Sequence, residues 1–105
     1  MSRSKISTMK KAAVANSKKF SVTFEMPAEI EAESLVVVGD FNNWDENATP
    51  MQRRKDGVWT KSLRLDPGRY QFRYLADGHI WHNDPAADAY EPSGFGEDNS
   101  IVVVG

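Results

Sequence analysis

Apolar and polar residues alternate along several stretches of this chain, and the period of that alternation predicts β-strands. Residues 20–26 alternate between apolar and polar side chains, which is typical of a strand with one buried face. Residues 34–39 are apolar on both faces, which predicts a strand in the centre of its sheet. In residues 70–75 the aromatic side chains share one face, while Gln71 and Arg73 lie on the other.

Turn signals separate these stretches from further short strands. Combinations of Asn, Asp, Gly and Pro that reverse the chain occur at four places: Asn42-Asn43, Asp56-Gly57, Asp66-Pro67-Gly68 and Asp77-Gly78. The pattern predicts three more strands, at residues 58–65, 79–82 and 100–104. Lys61 interrupts the apolar face of the first of them, which predicts a bulge or an edge position there.

About seven short strands, regularly spaced turns and no helical period predict an all-β fold, an antiparallel β-sandwich. We expect the core of this sandwich to hold Phe24, Trp59, Phe72 and Tyr74. Residues 86–98 are rich in Pro, Gly and acidic side chains. They predict a long loop, and long loops on a rigid scaffold are candidates for function.

The composition allows one domain of ordinary globular type. The chain has 105 residues, of which 40% are apolar and 27% are charged, and this is enough for a single core. The absence of cysteine excludes disulfides and thiolate metal sites and is compatible with a reducing compartment, so we expect a cytoplasmic protein. No apolar run approaches the ~18 residues of a membrane span, so no membrane partner is expected.

Basic residues are concentrated at the N-terminus. Six of the thirteen basic side chains, and none of the fifteen acidic ones, lie in residues 1–19. Residues 1–18 have no clean period, and we expect a basic, disordered tail followed by one domain over residues 19–105. Because that domain is acidic and phosphate contacts need basic side chains, nucleic acid is not expected as a partner.

The sequence lacks the usual motifs of catalysis and metal binding. It contains no Gly-x-Ser-x-Gly, no phosphate-binding glycine loop, and no evident pair of carboxylates of the kind that glycosidic acid–base chemistry requires. His79 and His82 are three residues apart, which places them on opposite faces of a strand. We therefore expect no enzyme activity, no metal and no cofactor.

Two tryptophans, Trp44 and Trp81, lie at turns or short strands among polar neighbours. A sugar ring has an apolar C–H face that fits a flat aromatic surface, and its hydroxyl groups need donors and acceptors nearby. Arg73 and Asn99 could supply them. Other interpretations stay open at this point: Trp44 can be a lid on the core, parity does not settle the face of Trp81, and Arg73 can be a solvated strand residue.

Several separated motifs resemble the family 48 carbohydrate-binding modules. In chain order they are Gly39-Asp40-Phe41-Asn42-Asn43-Trp44, Tyr70-Gln71-Phe72-Arg73-Tyr74 with Asp77-Gly78, Trp81, Asp84-Pro85, and Phe95-Gly96 with Asp98-Asn99. This family includes the early-set domains of isoamylase and branching enzymes and the glycogen-binding domain of the AMP-activated protein kinase β-subunit. The resemblance runs from about Phe20 to Val104 and implies an immunoglobulin-like, early-set sandwich that binds α-1,4-glucans.

The resemblance also implies a binding site. The two tryptophans that cradle the glucan in the kinase-type domains match Trp44 and Trp81, and an asparagine contact is retained as Asn99. Three positions depart from the family pattern, with Arg73 in place of a lysine, Phe95 in place of a leucine and Glu97 in place of a threonine. The predicted carbohydrate-binding residues are Trp44, Arg73, Trp81, Phe95 and Asn99.

Together the residues and the resemblance predict a non-catalytic module for α-1,4-glucans such as glycogen, starch and maltooligosaccharides. A glycogen-metabolism enzyme is a further candidate partner, bound in trans. The alternative is a protein-interaction module that keeps the same fold and docks on such an enzyme or on a kinase complex.

Overall fold

The computed structural model describes residues 19–94 and 96–105. Their regular structure consists of eight β-strands: β1 (Phe20–Met26), β2 (Leu35–Gly39), β3 (Gln52–Arg53), β4 (Trp59–Leu65), β5 (Gly68–Ala76), β6 (Ile80–His82), β7 (Ala89–Pro92) and β8 (Asp98–Val104). A 3-10 turn, Asp40–Asn42, follows β2 directly. The predicted basic tail, residues 1–18, lies outside the described residues.

The strands form two antiparallel sheets. The smaller sheet has the strand order β1-β4-β3, and the larger has the order β2-β5-β8-β7, with β6 pairing the last residues of β5. The predicted all-β antiparallel sandwich is confirmed, with eight strands among the described residues rather than about seven. No helix in this part of the chain is long and apolar enough to cross a membrane.

The core lies between the two sheets and is built from aromatic rings. Phe24, Trp59, Phe72 and Tyr74 are each at most 5% exposed, so the predicted core residues are confirmed. Phe72 lies at the centre, with its ring centroid 5.0 Å from Phe24 and 5.7 Å from Tyr74, both in edge-to-face geometry. This geometry lets the positive edge of one ring meet the negative face of the next.

The hydroxyl group of Tyr74 reaches the edge of the core and holds the segment after β6. It donates a hydrogen bond of 2.8 Å to Asp84 Oδ2. Burial raises the pKa of the Tyr74 phenol far above its usual value, and the nearby Asp84 carboxylate raises that pKa further. The phenol therefore stays protonated and serves as a structural donor.

The prediction that β2 is a central strand is wrong, because β2 ends the strand order of its sheet. Residues 49–51 cover its outer edge: the Met51 N–H donates to Leu35 O at 2.8 Å, and the Val37 N–H donates to Thr49 O at 3.1 Å. Both faces of β2 are also buried. An edge strand that is covered in this way can be apolar on both faces.

The predicted bulge in β4 is wrong, whereas an edge position at Lys61 holds on one side, because β3 pairs with β4 only at Trp59 and Thr60. The strand pairs with β1 in one continuous register, from Phe20 opposite Leu65 to Met26 opposite Trp59, and it is the middle strand of its sheet. Lys61 lies opposite Phe24 and is half-buried. A lysine is tolerated at such a position because its aliphatic stem covers apolar surface while its ammonium group reaches water.

The predicted loop of residues 86–98 contains an additional strand. β7 pairs with β8, from Ala89 opposite Ile101 to Pro92 opposite Asp98. Glu91 and Pro92 are poor strand formers, so the sequence pattern conceals this strand. Proline is tolerated there because β7 is at the edge of the sheet.

Candidate functional site

The outward face of the larger sheet carries a cavity. The inward side chains of β5 include Phe72 and Tyr74, so by strand alternation Gln71 and Arg73 point outward. The cavity has a volume of about 410 Å³, which lies in the range of small-molecule sites. Its lining residues come from the turn after β2, from the strands β5, β6 and β8, and from the segment between β7 and β8: Asp40, Trp44, Gln71, Arg73, Trp81, Ser93 and Asn99.

Trp44 reaches this cavity from a turn with an unusual backbone. Asn43 and Trp44 both have left-handed angles, with φ of 58° and 57°. Asparagine tolerates that conformation, but for a bulky residue it is an outlier that costs about 1–3 kcal/mol and persists only where the surroundings fix it. A hydrogen bond of 2.9 Å from the Trp44 N–H to Gly39 O closes the turn.

The side chain of Asn42 holds the same turn from inside. Its Oδ1 accepts the Gly39 N–H at 3.1 Å. Its Nδ2 donates to Val37 O at 3.1 Å and to Thr49 Oγ1 at 3.0 Å. One amide therefore ties the turn to β2 and to the segment that covers the edge of β2.

The two aromatic residues of the turn have separate environments. The Phe41 ring points to the core, with its centroid 5.3 Å from that of Phe24 and 6.2 Å from that of Tyr70. Trp44 is half-buried and lines the cavity. Its Nε1–H donates to Asp40 Oδ1 at 3.0 Å. Because Phe41 occupies the core side, the arrangement favours a platform over a core lid for Trp44.

Arg73 lies between the second tryptophan and an acidic side chain. Its guanidinium carbon is 5.6 Å from the ring centroid of Trp81, and its Nη2 pairs with the carboxylate of Glu97. The side chain of Arg73 is only 14% exposed, and its Nε is buried without a hydrogen-bond partner among the described residues. Arg73 is therefore held in place and is not a solvated strand residue.

Register places Trp81 and Asn99 on the same face as Arg73. Trp81 lies opposite Leu75 of β5, which has the outward parity, and it is 36% exposed. Asn99 is 8% exposed, and its Nδ2 donates to Gln71 Oε1 at 2.8 Å. In that bond Asn99 is the donor and Gln71 is the acceptor. The bond does not use the NH₂ group of Gln71 or the side-chain oxygen of Asn99.

Four of the five predicted site residues thus line one cavity: Trp44, Arg73, Trp81 and Asn99. Phe95 lies outside the described residues. The sequence reasoning missed three lining residues, Asp40, Gln71 and Ser93. Asp40 is part of the turn motif and Gln71 shares the face of Arg73, so the sequence offered a reason to predict both. Nothing in the sequence pointed to Ser93.

The chemistry of the cavity suits binding. The indoles offer flat apolar surface, and the amides and the guanidinium offer hydrogen bonds. Asp40, the carboxylate that lines the cavity, accepts two N–H donors, and the carboxylate of Glu97 pairs with the lining residue Arg73. Among the described residues, no group of three or more His, Cys, Asp or Glu side chains could hold a metal ion.

A second cavity, of about 510 Å³, lies beside the connection between β1 and β2. Two of its charged side chains hold that connection. The carboxylate of Asp77 accepts the N–H groups of Glu33 and Ser34, and Arg53 donates to Ala32 O. These bonds give the two side chains a structural role.

The sequence model of one protein family, described as "Glycogen recognition site of AMP-activated protein kinase", matches residues 20–104. Two relatives are plant proteins. Protein FLOURY ENDOSPERM 6, chloroplastic, of Oryza sativa subsp. japonica is 33% identical over 73 residues, which are 70% of this chain and 13% of that protein. Protein PTST homolog 2, chloroplastic, of Arabidopsis thaliana is 29% identical over 72 residues, which are 69% of this chain and 13% of that protein.

A bacterial relative is an enzyme. The 1,4-alpha-glucan branching enzyme GlgB 2 of Xanthomonas campestris pv. campestris (strain 8004) is 40% identical over 52 residues, which are 47% of this chain and 7% of the enzyme. The chain therefore spans a small part, 13% or less, of each of these three relatives.

Proposed function

The chain belongs to the family of the glycogen recognition site of AMP-activated protein kinase, which is a family of carbohydrate-binding modules, and we propose that it binds α-1,4-glucan chains in the cavity on the larger sheet. The observation that carries this proposal is the pair of indoles, Trp44 and Trp81, on one cavity of about 410 Å³. Glycogen, starch and maltooligosaccharides are the proposed ligands.

Each residue has a role in this proposal. The faces of Trp44 and Trp81 stack on the apolar C–H faces of two glucose units, because indoles bring a large contact area at a low entropy cost. The amides of Gln71 and Asn99 line the same cavity and bond to sugar hydroxyl groups. Arg73 supplies further donors.

The expected affinity is modest. Stacking on aromatic side chains is worth roughly 1–3 kcal/mol per ring for nucleobases, and we use that scale for sugars by analogy. Two rings with a few exposed hydrogen bonds then give about 4–8 kcal/mol, which corresponds to a Kd between roughly 1 mM and 1 μM. Affinity in this range is useful when a long polysaccharide offers many sites.

We propose further that the whole chain is non-catalytic, works in the cytoplasm and acts beside a glycogen-metabolism enzyme in trans. The first point is supported by the carboxylates of Asp40 and Glu97, which are both engaged, the first with two N–H donors and the second with Arg73. The absence of cysteine is compatible with the second. The names of the two plant relatives say chloroplastic, so fluorescent tagging of the full chain in its own cells is the check on location.

The test is a titration of the isotope-labelled full chain with maltoheptaose, followed by NMR. The three indole N–H signals carry an internal control, because Trp59 is buried in the core at 5% exposure. We expect the signals of Trp44 and Trp81 to shift and that of Trp59 to stay. No shift at millimolar maltoheptaose would overturn glucan binding and favour the protein-interaction module of the same fold.

Removing one platform gives the matching mutational prediction. Trp44→Ala is expected to weaken maltoheptaose binding by about 5- to 150-fold, the equivalent of one lost stacking ring. Its melting temperature should change little, because Trp44 is half-buried at the surface. Phe20→Ala is the control, since Phe20 is an exposed aromatic residue on the smaller sheet, 42% exposed. Glucan binding by Trp44→Ala at wild-type strength would show that Trp44 is no platform.

A further inference from the structure

Asp40 joins the Trp44 indole to the central strand of the larger sheet. Its Oδ1 accepts the Trp44 Nε1–H at 3.0 Å, and its Oδ2 accepts the backbone N–H of Gln71 at 2.7 Å. Gln71 belongs to β5, whose other face is part of the core. The carboxylate therefore spans the gap between a turn and a rigid strand.

The backbone of the turn alone does not fix the ring of Trp44. The left-handed φ of 57° sets the direction in which the side chain leaves the chain, but the indole still rotates about its two side-chain torsions. A hydrogen bond at the far edge of the ring removes that freedom. Because the acceptor is an ionised carboxylate, this bond is stronger than one between neutral groups.

The bond also decides which part of the indole is left for a ligand. The Nε1–H is the only hydrogen-bond donor of a tryptophan side chain, and here it is engaged by Asp40. What remains of Trp44 in the cavity is the surface of its ring. Its contact with a ligand is therefore stacking and not hydrogen bonding.

We propose that Asp40 is a positioning residue of the binding site. It holds the Trp44 ring in the orientation for stacking, anchors that orientation to β5 through Gln71, and acts on the ligand through Trp44. This proposal rests on the proposed function, since the ligand it serves is the α-glucan. The bond from Asp40 lowers the entropy cost of binding, because the Trp44 ring is already ordered before a sugar arrives.

A double-mutant cycle tests whether Asp40 acts through Trp44. Asp40→Ala in the full chain should weaken binding of maltoheptaose by about 3- to 10-fold, the range of one net hydrogen bond. The same change in a Trp44→Ala background should have no further effect, because the ring that Asp40 holds is gone. If Asp40→Ala causes the same loss in both backgrounds, or no loss in the wild type, the proposal is wrong.

The indole signal of Trp44 gives a readout that needs no ligand. In the free Asp40→Ala variant, the Nε1–H signal should move to the position of an indole bonded to water and should exchange faster, while the Trp59 signal stays. An unchanged Trp44 signal contradicts the positioning role. A wild-type protein that gives no shift with maltoheptaose overturns the proposed function instead, and the free-protein signal still decides whether Asp40 orients the ring.

Asp77→Ala is the matched control for stability. Asp77 also accepts two N–H groups, those of Glu33 and Ser34, at 2.8 and 3.1 Å, and it lies outside the lining of the glucan cavity. The control should melt at a lower temperature and bind maltoheptaose like the wild type. If Asp77→Ala weakens binding as much as Asp40→Ala does, general loosening of the domain explains both, and Asp40 has no positioning role.

Discussion

Gly39 stands at the residue where the chain leaves β2 for the turn that carries Trp44, and the space around it admits no side chain. An ideal Cβ there would lie 2.5 Å from Gln71 O and 2.7 Å from Phe72 Cβ. The backbone of Gly39 is extended, with φ of −172°, a conformation that any residue adopts. The glycine is therefore required by the close approach of β2 and β5, which also brings Asp40 within reach of Gln71.

Gly39→Ala should destabilise the domain by about 3 kcal/mol or more, because the added methyl group meets Gln71 O and Phe72 Cβ, which cannot move aside. It should also weaken maltoheptaose binding, since the turn must shift. Gly78→Ala is the control: its φ of +77° favours glycine, but nothing lies within 4 Å of an added Cβ. We expect a loss of only about 1–2 kcal/mol for that variant and wild-type binding.

Urea unfolding and isothermal titration calorimetry measure the two quantities on both glycine variants. Equal losses of stability in Gly39→Ala and Gly78→Ala would mean that the close contact of β2 and β5 does not require glycine at position 39.

At the scale of the element, two neighbouring asparagines in the turn have different roles. Asn42 makes three hydrogen bonds that tie the turn to Gly39, Val37 and Thr49. Asn43 is exposed and contributes its left-handed backbone, with φ of 58°. Aspartate has nearly the same shape and tolerance of that conformation as asparagine. Substituting each asparagine by aspartate therefore tests the side-chain hydrogen bonds of the turn separately from its backbone conformation.

Asn42→Asp should destabilise the domain by about 1–3 kcal/mol, because a carboxylate has no proton for Val37 O and leaves that acceptor unpaired. It should also weaken maltoheptaose binding, since the turn holds Trp44. Asn43→Asp should stay within about 0.5 kcal/mol of the wild type. Thermal unfolding of both variants decides the matter, and a larger effect at position 43 than at position 42 would reverse the assignment.

The elements also show what the sequence pattern can predict. The strands with clean alternation and the core rings were predictable, because burial on one face leaves a period of two. The edge position of β2 was not, because its covering segment, residues 49–51, has no pattern of its own. β3 has only two residues and β7 contains a proline, so neither strand can be detected from a period of two in the sequence.

The site also has a part that the sequence could predict and a part that it could not. Trp44, Arg73, Trp81 and Asn99 were predicted from residue type and from the resemblance, and they line one cavity. The part played by Asp40 depends on its reaching Gln71 on the neighbouring strand β5, which only tertiary structure creates. That these residues bind carbohydrate stays a prediction.

At the scale of the whole molecule, β5 couples the site to the core. Its inward rings Phe72 and Tyr74 are fully buried, and its outward side chains Gln71 and Arg73 line the cavity. A strand held on both sides by β2 and β8 moves little. The binding surface is therefore expected to be formed before the ligand arrives.

Lowering the pH should remove a contribution to the stability of the fold that comes from Asp77, the residue that directly follows β5. The N–H group of Glu33, and next that of Ser34, lower the pKa of the Asp77 carboxyl below its usual value of 3.8. A group whose pKa is lower in the folded state stabilises that state above the unfolded pKa and loses this contribution as the pH falls below it. The contribution is therefore present at neutral pH, declines as the pH falls below about 3.8, and is lost as the pH passes through the lower folded pKa.

Asp77→Asn keeps an oxygen that can accept the same two N–H groups, and asparagine tolerates the φ of 53° found at this position. The variant has no carboxyl group to titrate. Melting temperatures of both proteins between roughly pH 6 and pH 2 are the measurement. We expect the wild type to be more stable at the upper end and its advantage to shrink below pH 3.8. A gap that stays constant over the whole range would show that the charge of Asp77 does not stabilise the connection between β1 and β2.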